Sequence, residues 1–286
     1  MVTGLLLTIK VKLLLKKTKK SSVIAQNKNL SIQFSLDGFS FCIFNSDTKE
    51  TVLFTEYIFE HSLTSPEYLL DKVIAIFATD KDLQQDFKSV FAIHQNNLAT
   101  LVPNEYFDRS SLDSYLKYTV KTLSTDFITY DSLEAIEANT VYIPYVNINN
   151  YLFQNFGEFE YKHHSTILID KLLNFSKEDS EKQFFVHVSK NQLDIVVCQQ
   201  NKLILHNSFS FTTKEDFLYY ILFVAEQLQM DPDKFQLTFI GNIEKESDLY
   251  TITYNYVRNI HFLKPILNFF TDSEAFSNHS NFILVS

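Results

Sequence analysis

One order of predicted elements occurs twice in this chain, and the repeat constrains the fold more than any other feature. In each copy, three short segments of alternating apolar and polar residues predict strands that are joined by tight polar turns. A segment with helical spacing and one further apolar strand follow in both copies. The first copy spans residues 30–93 and the second spans residues 184–240. The repeat predicts an α/β protein with mixed sheets, built from two β-β-β-α-β halves.

The region between the two copies has weaker signals. It predicts helices at residues 112–123, 145–156 and 166–175, and strands at residues 127–130, 140–145 and 159–165. The polar run from Ser176 to Ser180 is the clearest break in the chain, so we place a domain boundary there, between domains of residues 29–178 and 179–286. Beyond the second copy, residues 244–256 predict a helix and residues 282–285 a short strand.

Composition excludes two kinds of binding site. The chain has 4 Gly among 286 residues, which argues against a new glycine-rich phosphate loop, because a Cβ blocks close approach of the backbone to a phosphate. The net charge is −9 and Arg109 and Arg258 are the only arginines. An acidic chain with so little arginine is unsuited to binding nucleic acid, which requires clustered basic side chains.

The first 28 residues differ from the rest, since six lysines lie between Lys10 and Lys20. Lysines interrupt the apolar run, so the segment matches neither a secretory signal nor a transmembrane helix. We predict a disordered basic segment over residues 1–28. The alternative is that residues 1–22 contact a membrane surface.

Two groups of chemically active side chains have ordinary structural interpretations. Cys42 and Cys198 are far apart and show no metal-binding spacing, so they are expected to be buried thiols of a cytoplasmic protein. His163, His164 and Asp170 could form a metal site. Neighbouring residues of a strand point to opposite faces, however, which favours a structural role for the two histidines.

The repeat resembles the actin-like ATPase (RNase H-like) fold, in which two similar halves face a cleft that holds nucleotide. In that family the second phosphate hairpin runs Asp, apolar, two or three glycines, Thr, apolar, Asp. Here the aligned residues place His187 at the first acid, Ser189, Lys190 and Asn191 at the glycines, and Asp194 at the last acid. Only Asp194 matches the family pattern.

The other two nucleotide motifs of the resemblance are also incomplete. The first phosphate hairpin reads Phe34-Ser35-Leu36-Asp37-Gly38, with Ser35 at the position of the metal-organising acid unless Asp37 serves in a shifted register. The adenosine loop, which normally ends in two glycines, keeps only Gly241. Phosphoryl transfer needs carboxylates for Mg²⁺ and backbone amides close to the phosphates, so these losses predict that hydrolysis is absent.

The chain is also similar to an uncharacterised bacterial family, domain of unknown function 3822. The similarity rests on Leu98–Pro103, Val141–Pro144 and the Phe184–Phe209 meander. Together the resemblances imply a catalytically degenerate actin-like protein that binds an unidentified protein partner, with no catalytic residue and no cofactor. The alternative is an ATPase or phosphotransferase of this fold that binds ATP with Mg²⁺ through Asp37, Gly38, His187, Asp194 and Gly241.

Overall fold

A computed structural model describes residues 15–20, 27–48, 50–176, 180–263 and 282–284. Its strands are β1 (Leu15–Lys20), β2 (Lys28–Ser35), β3 (Gly38–Asn45), β4 (Thr51–Ile58), β5 (Ser89–His94), β6 (Ala99–Pro103), β7 (Thr129–Leu133), β8 (Ala138–Tyr142), β9 (Glu160–His163), β10 (Gln183–Val188), β11 (Gln192–Gln199), β12 (Lys202–Ser210), β13 (Gln236–Gly241) and β14 (Asn259–Phe262). Its helices are α1 (Pro66–Thr79), α2 (Leu112–Leu116), α3 (Val146–Phe156), α4 (His164–Phe175), α5 (Lys214–Gln227) and α6 (Asp248–Tyr254). None of these helices is long and apolar enough to cross a membrane.

The two larger sheets have the same strand order, which confirms the duplicated β-β-β-α-β architecture. One sheet has the order β1-β4-β3-β2-β5-β9 and the other has the order β12-β11-β10-β13-β14. Apart from β1, each sheet places an antiparallel meander of three strands beside two later strands. In the second sheet β13 runs parallel to β10, and α5 supplies the crossover that a parallel pair requires.

The chain forms two compact units, one of Met1–Ala92 with Tyr145–Glu160 and the other of Ile93–Pro144 with Tyr161–Ser286. The three divisions fall within β5, between β8 and α3, and within β9. None of them coincides with the boundary predicted between residues 178 and 179. The division into domains of residues 29–178 and 179–286 stays a prediction.

The first unit packs α1 and α3 around an aromatic core. Phe39 on β3 contacts Phe77 on α1, with ring centroids 6.0 Å apart. The same Phe77 contacts Tyr151 and Phe156 on α3 at 5.3 and 5.7 Å. These rings account for part of the high phenylalanine content, which is used here for core packing.

The second unit contains the second large sheet and a small antiparallel sheet of order β6-β8-β7. The large sheet buries Phe184, Val186 and Leu193 in a core that α5 covers with Phe217 and Ile221. One face of the small sheet packs Val102 and Val141 against Leu116 of α2. The other face carries polar residues and receives the start of α4, as described below.

The prediction that residues 1–28 are disordered is wrong for residues 15–20. These residues form β1, which pairs antiparallel with β4 from Leu15↔Ile58 to Lys20↔Leu53. Lys16 Nζ donates to the buried carboxylate of Asp80 at 2.9 Å, and the Tyr57 hydroxyl donates to the same oxygen. The edge of β4 offers unpaired backbone groups to which an extended segment of almost any sequence can bind. The residues of β1 therefore carry no pattern that predicts a strand. Residues 1–14 and 21–26 lie outside the described residues, and membrane contact through residues 1–22 stays a prediction.

Three other predicted elements differ from the structure. The helix predicted over residues 112–123 ends at Leu116, before a stretch rich in β-branched residues that disfavour helix. The helix predicted over residues 244–256 is confined to Asp248–Tyr254. Residues 282–284 form a turn instead of a strand, and residue 285 lies outside the described residues.

Candidate functional site: a buried histidine–aspartate network beside a polar pocket

The first turn of α4 is fixed to the small sheet by Asp131 of β7. One oxygen of this carboxylate accepts hydrogen bonds from the His163 N–H and the Thr166 hydroxyl, both at 2.8 Å. The other oxygen accepts from the Tyr142 hydroxyl at 3.0 Å. Burial raises the pKa of Asp131, although these donors act in the opposite direction. The carboxylate thus sets the direction in which α4 leaves the sheet.

His163 caps α4 and is held as a neutral ring. Its Nδ1 accepts from the Ser165 N–H at 3.3 Å, and Nε2 lies 3.1 Å from the carbonyl oxygen of Asn96. Nε2 therefore carries the proton and donates to that carbonyl. Burial, and next the neighbouring His164, lower the pKa of His163 well below its ordinary value. The ring is uncharged at neutral pH.

Asp194 on β11 is the centre of a buried network. His164 Nε2 and His187 Nδ1 lie 3.2 and 3.0 Å from the same carboxylate oxygen, and the Ser208 hydroxyl donates to the other. Burial by itself would raise the pKa of Asp194, but the interaction with His164 and the hydrogen bonds from both histidines hold it well below its usual value. Asp194 is therefore ionised and only 3% exposed, with both oxygens occupied by protein donors.

A polar pocket of about 150 Å³ lies beside this network, entirely within the second unit. Strand β8 contributes Thr140, the start of α4 contributes His163 and Ser165, and β12 contributes His206 and Ser208. The remaining lining residues are Asn96, Asn97, Ala99, Thr100, Leu101, Thr119 and Asn207. Ser208 joins the pocket to the network, because its hydroxyl is bound to Asp194.

Several polar atoms around the pocket have no hydrogen-bond partner in the part of the chain that the structure describes. They are Thr140 Oγ1, Ser165 Oγ and His206 Nε2 among the lining residues, and His164 Nδ1 behind them. Burial, before all other causes, lowers the pKa of His206 to about 4, so its ring is also neutral at neutral pH. Buried polar groups normally find partners, so a concentration of unpaired atoms at one place indicates a site that receives hydrogen bonds from elsewhere.

The structure brings three predicted nucleotide contacts together in the second unit. His187 and Asp194 form the hydrogen-bonded pair described above, and Gly241 lies beside them. A Cβ at Gly241 would lie 2.3 Å from the Val188 carbonyl oxygen and 3.1 Å from the His187 ring, and φ is +87°. The structure thus explains why position 241 of the adenosine motif is still glycine, because a residue with a Cβ would overlap the end of β10.

Asp37 and Gly38 lie in the first unit, at the turn between β2 and β3. The Asp37 carboxylate accepts a hydrogen bond from Ser62, and its N–H donates to Ser35 Oγ at 3.1 Å. Gly38 lies so close to β4 that a Cβ would come within 2.8 Å of the Tyr57 carbonyl oxygen. The roles of Asp37, Gly38, His187, Asp194 and Gly241 in nucleotide binding stay predictions.

His163 and His164 do not point to opposite faces of one strand, so that prediction is wrong. His163 ends β9 and His164 begins α4, so the strand alternation stops between them and their ring centroids lie 4.5 Å apart. Asp170 is exposed on α4, two turns from His163. Among the described residues, no group of three or more His, Cys, Asp or Glu is arranged to hold a metal ion. Cys42 and Cys198 are both buried and free, and burial raises the pKa of Cys198 to about 11.

Reasoning from the sequence missed Asp131, Thr140, Ser165, His206 and Ser208. They come from β7, β8, α4 and β12, and no spacing in the sequence links them. One local signal was available. His206 and Ser208 are two residues apart on one strand, so they share a face of the sheet, and the register pairs them with Val196 and Asp194.

The comparisons with known proteins agree on the fold. A protein from Bacteroides thetaiotaomicron, described as having an actin-like ATPase fold and unknown function, superposes with a TM-score of 0.74 at 22% identity, over 84% of this chain and 91% of that one. A PilM–PilN type IV pilus biogenesis complex gives a TM-score of 0.53 at 10% identity, over 82% of this chain and 88% of that one. No curated protein matches. The actin-like architecture predicted from the sequence is confirmed.

A family model described as "Protein of unknown function (DUF3822)" matches residues 17–260. The match extends from β1 to the first residues of β14 and thus includes the histidine–aspartate network, the polar pocket and all the predicted nucleotide contacts. The chain therefore belongs to the DUF3822 family, with the actin-like ATPase fold.

Proposed function

We propose that this chain is a catalytically degenerate member of the actin-like fold that acts by binding another protein. The observation that carries the proposal is the state of Asp194, the only acid that matches the second phosphate hairpin. Three protein donors occupy its two oxygens, and its side chain is buried. A carboxylate that organises Mg²⁺ needs an oxygen facing the metal or its water shell.

The turn after β10 supports the same conclusion. Ser189, Lys190 and Asn191 stand where the resemblance places glycines, and the Ser189 hydroxyl accepts a hydrogen bond from Gln95 at 2.6 Å. The Asn191 carbonyl accepts from the Phe211 N–H at 3.0 Å. Because side chains and protein contacts occupy this turn, its backbone is poorly suited to surround a phosphate.

Protein binding has support from the fold and the surface. One similar solved structure is a complex of the proteins PilM and PilN, so this fold occurs in association with another protein. On α5, Tyr219 and Phe223 are exposed and stack on each other, with ring centroids 5.8 Å apart. Exposed aromatic side chains are characteristic of protein interfaces.

The second candidate is an ATPase or phosphotransferase that binds ATP with Mg²⁺. Gly241 favours it, since this glycine occupies a position of the adenosine motif, and Asp37 would supply the acid of the first phosphate hairpin in a shifted register. Thermal unfolding of the full chain with Mg-ATP, Mg-ADP and Mg²⁺ alone separates the two candidates. A ligand at about 100 times its Kd stabilises by roughly 2.7 kcal/mol, which shifts Tm by several degrees in a chain of this size.

We expect no Mg²⁺-dependent shift at millimolar nucleotide. A clear shift that needs Mg²⁺ and is lost in Asp37→Ala would replace the degenerate interpretation with the nucleotide-binding one.

Partner binding is tested by quantitative co-purification from the source cells with three forms of the chain. They are the wild type, the double variant Tyr219→Ser with Phe223→Ser, and the control Tyr118→Ser, which removes an exposed aromatic ring elsewhere in the second unit. We expect a protein that is enriched with the wild type and the control and depleted with the double variant. Equal recovery with all three would show that this aromatic pair is not the interface.

A further inference from the structure

The pocket beside the Asp194 network has the features of a small-molecule site, and none of the predicted nucleotide contacts lines it. Its volume of about 150 Å³ is enough for several water molecules or one small organic molecule. Most of the lining residues lie on β6, β8, β9, α4 and β12, and Asn96, Asn97 and Thr119 lie in the connecting segments. Converging polar groups at a concave surface are one feature that ligand sites share.

The polar atoms without hydrogen-bond partners indicate which chemical groups a ligand of this pocket would carry. Thr140 is 2% exposed and Ser165 is 1% exposed, yet neither hydroxyl has a partner among the described residues. Each hydroxyl can donate one hydrogen bond and accept others. Strand pairing places Thr140 opposite Leu101 and Asp131, so its side chain lies on the face of the small sheet that receives α4. Thr140 of β8 and Ser165 of α4 therefore line the pocket from two different elements.

The lining excludes charged ligands on chemical grounds. It contains no Lys, Arg, Asp or Glu, and its two histidines, His163 and His206, are neutral. An anion would have no cationic donor and would lie near the ionised Asp194, which is linked to the lining through Ser208. A cation would find no free carboxylate, since the Asp194 oxygens are occupied.

We propose that this pocket binds a small, uncharged, polyhydroxylated molecule. Hydroxyl groups suit Thr140, Ser165 and the pocket amides because both sides can donate or accept. Ala99 and Leu101 give the carbon skeleton an apolar surface. The proposal is independent of whether the chain binds nucleotide or a protein partner.

The test uses the full chain with methyl-labelled alanine and leucine and three neutral probes, namely glycerol, erythritol and D-ribose. Glycerol 3-phosphate and serinol serve as anionic and cationic counterparts of glycerol. We expect saturable NMR shifts of the Ala99 and Leu101 methyl groups with at least one neutral probe. The charged counterparts should bind at least tenfold more weakly. These two methyl groups locate the binding without any variant.

Two variants test the hydroxyls, and a third serves as the matched control. Thr140→Val and Ser165→Ala each remove an unpaired buried hydroxyl, so we expect at least tenfold weaker probe binding with no loss of Tm. Thr253→Val removes a buried hydroxyl that donates to the Leu249 carbonyl at 2.7 Å, outside the pocket. It should lower Tm and leave probe binding unchanged.

Three results would overturn the proposal. The first is the absence of saturable shifts with all three neutral probes, which would leave water as the occupant. The second is tighter binding of glycerol 3-phosphate or serinol than of glycerol. The third is unchanged binding in folded Thr140→Val and Ser165→Ala.

Discussion

His163 and His206 are held neutral inside the second unit, and this gives the molecule a specific response to acid. Burial lowers the pKa of both rings, to about 4 for His206 from the ordinary 6.5. Between those two values the unfolded chain binds more protons than the folded chain does. The free energy of unfolding should therefore fall as pH falls from about 6.5 to about 4.

The nearby carboxylates do not produce this response. The lowered pKa of Asp194 gives stability that is fully present above its unfolded value of 3.8 and is lost only at lower pH. Asp131 has a raised pKa, so it acts in the opposite direction and stabilises the fold as pH falls. A loss of stability well above pH 4 is therefore expected from the two histidines and not from Asp194 or Asp131.

We predict that His206→Gln makes the stability less sensitive to acid. A difference of 2.5 units between the two pKa values of His206 corresponds to roughly 3 kcal/mol at most between neutral pH and about pH 4. Urea unfolding between neutral pH and about pH 4 measures how the free energy of unfolding changes with pH in the wild type, in His206→Gln and in His261→Gln. The last variant changes an exposed histidine and is the control. If the free energy of unfolding depends on pH in the same way in all three proteins, protonation of His206 does not cause the loss of stability in acid.

At the scale of single residues, the sequence identified part of the site but not what its side chains contact. His187 and Asp194 were identified because they lie on one hairpin, which the resemblance aligns with a family motif. Thr140, Ser165 and His206 could not be, since their proximity depends on how α4 packs against the sheets. Even the adjacent pair His163 and His164 was misplaced, because the change from strand to helix falls between them.

At the scale of elements, the sequence predicted turns and strands correctly where neighbouring residues determine the backbone conformation. Both meanders form with the predicted turns, and a capping box of Thr213 and Asp216 begins α5. In the predicted turn between β11 and β12, Gln200 and Asn201 adopt positive φ values of 50° and 60°. The strands β1 and β14 were missed because each depends on a neighbouring strand for its pairing.

The junction of β10 and β13 gives the clearest prediction at this scale. Gly241 combines a positive φ with a backbone contact that a Cβ would overlap, whereas Gly157 has a positive φ of 74° and nothing within 4 Å of the Cβ position. Gly157→Ala should cost about 1–3 kcal/mol, the strain of an unfavourable backbone conformation. Gly241→Ala should cost that strain plus the displacement of β10, more than about 4 kcal/mol in all.

Chemical unfolding of the two variants measures the difference directly. Because both replace glycine by alanine at positive φ, Gly157→Ala controls for backbone strain. Equal losses would mean that β10 moves away from residue 241 at little cost. That result would also remove the structural explanation for the remaining glycine of the adenosine motif.

At the scale of the whole molecule, charge is unevenly distributed along the chain. The first 22 residues carry six lysines and no acid, so the net charge of −9 becomes −15 over the remainder. In the structure, one of these lysines binds the buried Asp80, and β1 covers the edge of β4. The basic segment thus takes part in the fold of the first unit, which its composition did not predict.

We predict that removing residues 1–20 lowers Tm by several degrees and promotes aggregation. The truncation exposes the edge of β4, a strand with mostly buried side chains, and it leaves the Asp80 carboxylate without its cation. Lys16→Met in the full chain keeps the strand but removes the charge, so it separates the two effects. We expect a smaller loss of Tm in this variant and no aggregation by light scattering. A truncated chain as stable and soluble as the full chain would mean that the pairing of β1 with β4 contributes nothing in solution.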